Sequence, residues 1–404
     1  MKLKVHSQIL IAIVAGVVAG VLLGERAKHI KIVGDLFIRL LKMIIIPLIL
    51  ASMVTGITSL GNVRRLGRLG LRTLIYYTVT TVLAVSVGLV LVNVIKPGVG
   101  VDIGVDQAVD LSGRETPSIV SIVKDIVPEN VLWAMANDKV LSVIFFALIL
   151  GVAISSVGEK GRSLAGLFES LNAVMMKITG WIMHLAPLGV FALMAYTVGK
   201  MGLSVMRPLF VYMATVLIGL GIHALVTLPG LLWFIGRFGP LRFFGCVFSA
   251  VATAFSTASS AATLPVTMEC VEDNAGVSNK IASFVLPLGA TVNMDGTALY
   301  EAVAAMFIAQ VYGIDLTIGQ QLVIMLTATL ASIGAAAIPG AGLVTMVIVL
   351  RAVKLPLEGI GMILAVDRIL DMCRTAVNVW GDACGTVIMA RLEGEQLNES
   401  GERP

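Results

Sequence analysis

Charge is scarce in this chain. Aspartate, glutamate, lysine and arginine make up 13% of its 404 residues, against roughly 25% in a soluble domain. That shortfall excludes an ordinary soluble fold, and no stretch has the basic density of a nucleic-acid patch. Cysteine is rare too, with four residues. Cys246, Cys270, Cys373 and Cys384 lie in or near apolar segments without metal-ligand spacing, so they read as small packing residues, not a disulfide framework or a metal site. Strand-length alternation of apolar and polar residues is also missing, which leaves helices as the building element.

What is present is apolar surface. Hydrophobic residues make up 57% of the chain and the mean hydropathy is +0.96. Leu74 to Ile95 and Phe210 to Phe234 reach the ~20 residues that cross a bilayer, and Ile9 to Gly24 suffices with its flanks. The reading is an all-α polytopic membrane protein embedded in a lipid bilayer. The first residues, Met1-Lys2-Leu3-Lys4 before an apolar run, have the start of a signal peptide. No convincing cleavage site precedes Gly24-Glu25-Arg26, however, and an uncleaved first helix is expected. The net charge of +4 follows topology, not a partner.

The spacing predicts helices over about residues 9–24, 33–58, 72–95, 131–157, 163–199 and 208–236. Between the second and third, Asn62 to Arg72 carries four arginines and marks a cytoplasmic loop. Residues 99–130 hold Asp102, Asp106, Asp110 and Glu115 and read as an external, partly irregular segment. Gly16, Gly20 and Gly24 form a ridge for close helix packing.

From Leu241 onward the pattern changes. Two apolar segments are interrupted by small, polar, proline-containing tips, Ser259 to Pro265 and Gly334 to Gly342. Each arm is short for a span, which predicts re-entrant hairpins in preference to two kinked ordinary helices. Irregular backbone at membrane depth is tolerated where it is buried in protein or lines a cavity. A polar cluster follows each tip at similar distance, Asp295 after Pro265 and Asp371 after Pro339. Paired interruptions of this kind point to a binding site near the bilayer midplane.

The last apolar stretch carries Asp367, Asp371, Arg374, Asn378 and Asp382, at intervals of 4, 3, 4 and 4. At about 100° per residue they fall within an arc of about 80°. Ionisable groups at that depth are costly and line a substrate or ion path. Arg374 can hold a carboxylate by bidentate hydrogen bonds, and Asp371 can accept from an ammonium group. Together they suit an amino acid with an acidic side chain better than a plain dicarboxylate. A structural ion pair between the two is the plainer alternative. With Asp295 the cluster sums to −3, and an acidic amino acid adds −1. Such a charge is untenable inside a membrane without counter-ions, so bound monovalent cations, coordinated by oxygen, are expected.

The four motifs SSAATLP, NMDGTALY, IPGAGLV and DRILDMCRTAVNVWGD together resemble the dicarboxylate/amino acid:cation symporter family, which includes archaeal aspartate transporters, bacterial glutamate carriers and animal excitatory amino acid transporters. The resemblance covers nearly the whole chain. It implies eight transmembrane helices and two re-entrant hairpins arranged as inverted repeats, in a homotrimer at the plasma (bacterial inner) membrane with both termini cytoplasmic. Residues 1–71 and 99–207 would form a scaffold. Residues 72–98 and 208–395 would form an elevator-type transport domain, and 396–404 a C-terminal tail.

By the same resemblance Arg374 and Thr297 bind the substrate side-chain carboxylate, Asp371 and Thr375 its amino group, and Asn378 its α-carboxylate. Backbone at Ser259, Ser260, Ile338, Pro339, Gly340, Ala341 and Gly342 closes the pocket. One sodium site would use Asn293, Asn378 and Asp382 with the Gly289 carbonyl. A second would use Tyr77, Thr80, Thr81, Asn293 and Asp295. A third would use carbonyls of Thr291, Met294, Ser332, Ile333 and Ala335. Ala258 and Met372 stand where relatives place an arginine. Arg368 could substitute, although it sits about 80° off the centre of the stripe. The resemblance therefore implies a sodium-coupled symporter of aspartate or glutamate, with no organic cofactor and no enzymatic role. A proton-coupled acidic amino acid or C4-dicarboxylate carrier is the alternative. An intramembrane aspartyl protease fits poorly, since Val379 occupies the first glycine of its GxGD pattern.

Overall fold

In the computed structural model, residues 5–59, 63–100, 127–137, 140–201, 206–333 and 341–397 are described, and among them there is no strand. The expected segment at 99–130, the C-terminal tail and the second tip therefore lie largely outside the described residues. The chain opens with α1 (Val5–Leu23), α2 (Lys31–Ser59) and α3 (Val63–Ile95). It continues with α4 (Val131–Ala136), α5 (Val140–Ser156), α6 (Arg162–His184) and α7 (Ala186–Met201). Next come α8 (Met206–Ile222), α9 (Pro240–Thr257), α10 (Ser260–Glu269) and α11 (Asn279–Val292). The last are α12 (Asp295–Val311), α13 (Ile318–Ile333), α14 (Ala341–Ala352) and α15 (Ile360–Leu392).

Several boundaries differ from the sequence reading. The arginine-rich stretch is not a loop: α3 begins at Val63 and takes it up as its first turns, because leucine and arginine both favour helix. At 1.5 Å per residue its 33 residues run for about 50 Å, well beyond the ~30 Å hydrocarbon core. The helix expected over 131–157 is split, and Asn130 caps the short α4 by accepting from Trp133 N at 3.0 Å. The helix expected over 163–199 bends by 50° between α6 and α7. Pro187 lies in the first turn after the bend, where its missing N–H costs nothing.

Three described helical stretches are long and apolar enough to cross a membrane, Arg68–Ile95, Met206–Gly236 and Pro240–Thr257, or four if the bent α6–α7 pair is one span. The stretch Pro240–Thr257 is the first arm of the first tip, which is therefore longer than the sequence reading expected. Large apolar side chains stand on the outside of these helices: Val94 is 75% exposed and Phe234 81%. A coat of that kind fits lipid and is foreign to a soluble monomer.

Two groups of helices pack around separate neighbours. α1 lies along α7, and α2 packs on α5, α6 and α7. Gly16 and Gly20 make the first contact possible, since a Cβ there would stand 2.8 Å from the Phe191 carbonyl and 2.7 Å from that of Ala195. Gly24 does not extend this ridge; it adopts φ +52° to turn the chain. In the second group α12 is the hub, buried along its length except at Gln310. It packs on α3, α8, α13, α14 and α15, and α15 also packs on α9 and α11. The arms α9 and α10 pack on each other, as do α13 and α14.

Candidate substrate and cation site

The polar stripe of α15 faces protein throughout: Asp367, Asp371, Arg374, Asn378 and Asp382 are all buried, and Arg374 is 1% exposed. Arg374 Nη2 donates to Asp371 Oδ1 at 2.8 Å and lies 3.2 Å from Asp367 Oδ1. Its guanidinium sits 3.8 Å above the ring of Tyr300, a cation–π contact strengthened by the lack of water. Among the described residues Nε and Nη1 have no hydrogen-bond acceptor. Buried donors are ordinarily paired, so these two are poised for an anion. Gly342 marks where the second tip meets them, since a Cβ there would be 3.0 Å from Nη1.

Asp371 is held from two sides. Arg374 takes Oδ1, and Arg368 Nη1 donates to Oδ2 at 3.1 Å. Arg368 starts from a Cα outside the stripe, but its long flexible arm brings the guanidinium back to it, and the residue is buried. Thr375 Oγ1 donates to the Asp371 carbonyl at 2.8 Å, so its hydroxyl is spent on the helix backbone. Asn378 reaches across to α12, accepting from Gly296 N at 2.8 Å and donating to Thr297 Oγ1 at 3.4 Å.

The first tip is well formed. Ala258 ends α9 in the left-handed conformation, φ 50°, which a non-glycine residue rarely adopts. Ser259 then caps α10, accepting from Ala262 N at 3.2 Å, and both Ser259 and Ser260 are buried. In the second tip Ile338, Pro339, Gly340 and Ala335 lie outside the described residues. Ala341 opens α14 and Ile333 closes α13. Ser332 is buried, with its hydroxyl donated to the Thr329 carbonyl at 2.8 Å. The Thr291 hydroxyl is likewise donated to the Leu288 carbonyl at 3.0 Å.

The continuous helical path of α11 and α12 breaks at Asn293-Met294, whose backbone is extended and irregular. The break lets side chains from both sides converge with α3. Thr81 Oγ1 donates to Asp295 Oδ1 at 2.6 Å and Thr80 Oγ1 lies 3.2 Å from the same atom. Tyr77 donates its hydroxyl to the Val285 carbonyl at 3.0 Å. Asn293 Nδ2 donates to Asp382 Oδ1 at 2.9 Å. The other amide atom, Asn293 Oδ1, is buried without a donor among the described residues. Gly289 lies against this pair: a Cβ there would be 2.4 Å from Asp382 Oδ1 and 2.5 Å from the Tyr77 hydroxyl.

Among the described residues no three His, Cys, Asp or Glu side chains converge as a transition-metal site. The convergent atoms are hydroxyl, amide, carboxylate and carbonyl oxygens, a donor set for a hard cation. The orphaned Asn293 oxygen fits such an ion, since a cation would satisfy it as a hydrogen-bond donor would.

Besides Arg368, whose charge the sequence reading set off the stripe, two buried ionisable groups escaped that reading altogether. One is His223, whose Nε2 lies 3.0 Å from Asp295 Oδ2. The other is Glu301, fully buried on α12, accepting from the Thr345 hydroxyl while its Oε2 has no partner among the described residues. A lone histidine and a lone glutamate inside apolar runs are themselves a signal of function.

A sequence model of the Sodium:dicarboxylate symporter family matches residues 5–392. The chain belongs to that family. Excitatory amino acid transporter 3 of Homo sapiens is 42% identical over 449 residues, covering 96% of this chain and 85% of that protein. The proton/glutamate-aspartate symporter of Bacillus subtilis (strain 168) is 39% identical over 401 residues, covering 97% and 96%. The proton/sodium-glutamate symport protein of Geobacillus stearothermophilus is 36% identical over 412 residues, covering 100% and 97%. The family is one of transporters, and its membership with the apolar helices above makes the chain a multi-pass membrane protein.

Proposed function

We propose that this chain is a secondary active transporter that takes up aspartate or glutamate together with sodium. One observation carries the reading: a fully buried guanidinium, Arg374, holds two donors without acceptors among the described residues, beside a carboxylate, Asp371. An acidic amino acid completes that arrangement, with a carboxylate on Arg374 and an ammonium on Asp371. Thr297, Asn378 and the two tips enclose it. The names of the relatives, which speak of glutamate, aspartate, sodium and protons, support the same substrate class.

Sodium supplies the charge that lets Asp295 and Asp382 stay ionised at membrane depth. Asp295 with Tyr77, Thr80, Thr81 and Asn293 would hold one ion, and Asp382 with Asn293, Asn378 and the Gly289 carbonyl another. Carbonyls of Thr291, Met294, Ser332, Ile333 and Ala335 would supply a third site. Coupling follows because substrate and ions share α12 and α15, so each raises the affinity of the other.

The architecture we assign has eight spans and two re-entrant hairpins in a homotrimer of the plasma membrane, with cytoplasmic termini. Residues 1–62 and 99–207 form the scaffold, and 63–98 with 208–395 the moving elevator domain. The first boundary lies ahead of Val63 instead of at 71/72, because α3 is one continuous helix from there. The division into an α1–α2–α5–α6–α7 group and an α12-centred group supports it.

Proton coupling is the second reading. Glu301, buried with one oxygen unpartnered among the described residues, is a carboxyl that a proton can neutralise. The deciding experiment is binding of labelled aspartate and glutamate to the purified protein in sodium and in choline, over a range of pH. Binding in sodium alone supports the first reading. Equal binding in choline that strengthens at low pH overturns it in favour of the second.

A further inference from the structure

His223 lies outside the polar stripe, outside both tips and outside every proposed set of ion ligands. It is nevertheless wholly buried and its ring reaches the carboxylate that the sodium reading depends on. We propose that His223 is a positioning residue for the cation site on Asp295, fixing which carboxylate oxygen faces α3.

The geometry divides Asp295 cleanly. Oδ2 takes His223 Nε2 at 3.0 Å, while Oδ1 takes Thr81 at 2.6 Å and Thr80 at 3.2 Å. An ionised carboxylate only accepts, so Nε2 carries the hydrogen of this bond. Each threonine hydroxyl has one hydrogen and two acceptors in reach, since the Tyr77 carbonyl lies 3.1 Å from Thr80 Oγ1 and 2.8 Å from Thr81 Oγ1. When both hydrogens turn to Tyr77, the two hydroxyl oxygens and Asp295 Oδ1 present lone pairs together. That is an oxygen set for a hard monovalent cation. His223 leaves the set intact because it occupies only Oδ2. Without it, Oδ2 is a buried acceptor lacking a donor, and the carboxylate is free to rotate away from α3.

The helix changes form at this histidine. The chain of α8 widens into a π-helical turn over His223–Thr227. Such turns insert a residue into the helix and rotate its later side chains, and they gather at functional sites. Trp380 Nε1 donates to the Ala224 carbonyl at 3.0 Å, tying the widened turn to α15 two residues before Asp382. The turn is therefore braced against the helix that carries the stripe.

This inference rests on the sodium reading, and one experiment separates the two. The full-length purified protein would be compared with H223L, which removes the donor, and H223Q, whose longer amide can replace it. Sodium is titrated without substrate, read as thermal stability, and again with labelled aspartate, read as the half-saturating sodium concentration. Loss of one hydrogen bond to a charged group predicts a roughly tenfold to hundredfold higher sodium requirement in H223L. H223Q should return to within about threefold of the parent, and saturating sodium should restore aspartate binding in both. If H223L fails to give a monodisperse protein, H223N, too short to reach Asp295, takes its place. A parent-like sodium curve in H223L or H223N overturns the proposal, as does an H223Q as defective as they are. A parent with no response to sodium overturns the sodium reading itself, and this assignment with it.

Discussion

Arg374 Nη2 donates to Asp371 Oδ1 at 2.8 Å from one turn further along the same helix, while Arg368 holds the other oxygen at 3.1 Å. The pair is thus neither a simple salt bridge nor an empty pocket. It is a carboxylate between two guanidiniums that both retain buried donors without acceptors among the described residues, Nε and Nη1 on Arg374 and Nε on Arg368.

Replacing Arg374 with alanine should abolish binding of aspartate and glutamate. The loss should be about 3–5 kcal/mol, because it leaves Asp367 buried without its cation and Asp371 with only the Arg368 guanidinium of its two. Isothermal titration with aspartate in saturating sodium checks this, and an affinity equal to the parent's would remove Arg374 from the site. Neutral amino acids tested on the same variant show whether the pocket survives.

Asp371→Asn should discriminate between ligands. An amino acid loses a charged partner for its ammonium group, a loss of roughly 1.5–3 kcal/mol, whereas succinate has no such group to lose. Competition of aspartate and succinate against labelled aspartate measures the split. Equal weakening of both would assign Asp371 a structural role.

Asp382→Asn should raise the sodium concentration needed for half-maximal aspartate binding, since substrate and ion affinities are reciprocally linked. The slope of affinity against sodium should fall in parallel. An unchanged sodium dependence would place the ion elsewhere.

Gly289→Ala should act on the same site through space alone. Its Cβ would enter within 2.4 Å of Asp382 Oδ1 and 2.5 Å of the Tyr77 hydroxyl, so both must move. The expected cost of overpacking is about 1–3 kcal/mol, with sodium affinity reduced along with thermal stability. A variant with parent-like sodium binding would show that neither oxygen is a ligand.

Arg368→Ala leaves the α15 stripe in place and removes one of the two guanidiniums on Asp371. If Arg368 only balances charge, acidic substrates should bind more weakly while the Arg374 contact persists. The measurement is the aspartate affinity of Arg368→Ala beside that of Arg368→Lys. A lysine that restores the affinity shows that charge suffices; one that does not shows that the guanidinium geometry is needed.

What the amino-acid sequence determined by itself was local and periodic. Low charge and long apolar runs dictate membrane helices because each span must bury its own backbone hydrogen bonds. The burial of Asp367, Asp371, Arg374, Asn378 and Asp382 on one face was legible because helical periodicity alone sets it. The four motifs made the family legible as well. The tertiary structure decided what meets that face. Arg368 looked wrong by its Cα angle, yet a flexible arm places its charge well away from where the backbone points. His223 and Asp295 are 72 residues apart, and Thr81 and Asp295 are 214 apart. They meet where a π-turn follows α8 and where the chain breaks between α11 and α12, and the apolar pattern of either segment names no partner on the other. Periodicity reports which face a residue occupies; only the packing of distant helices reports which group it touches.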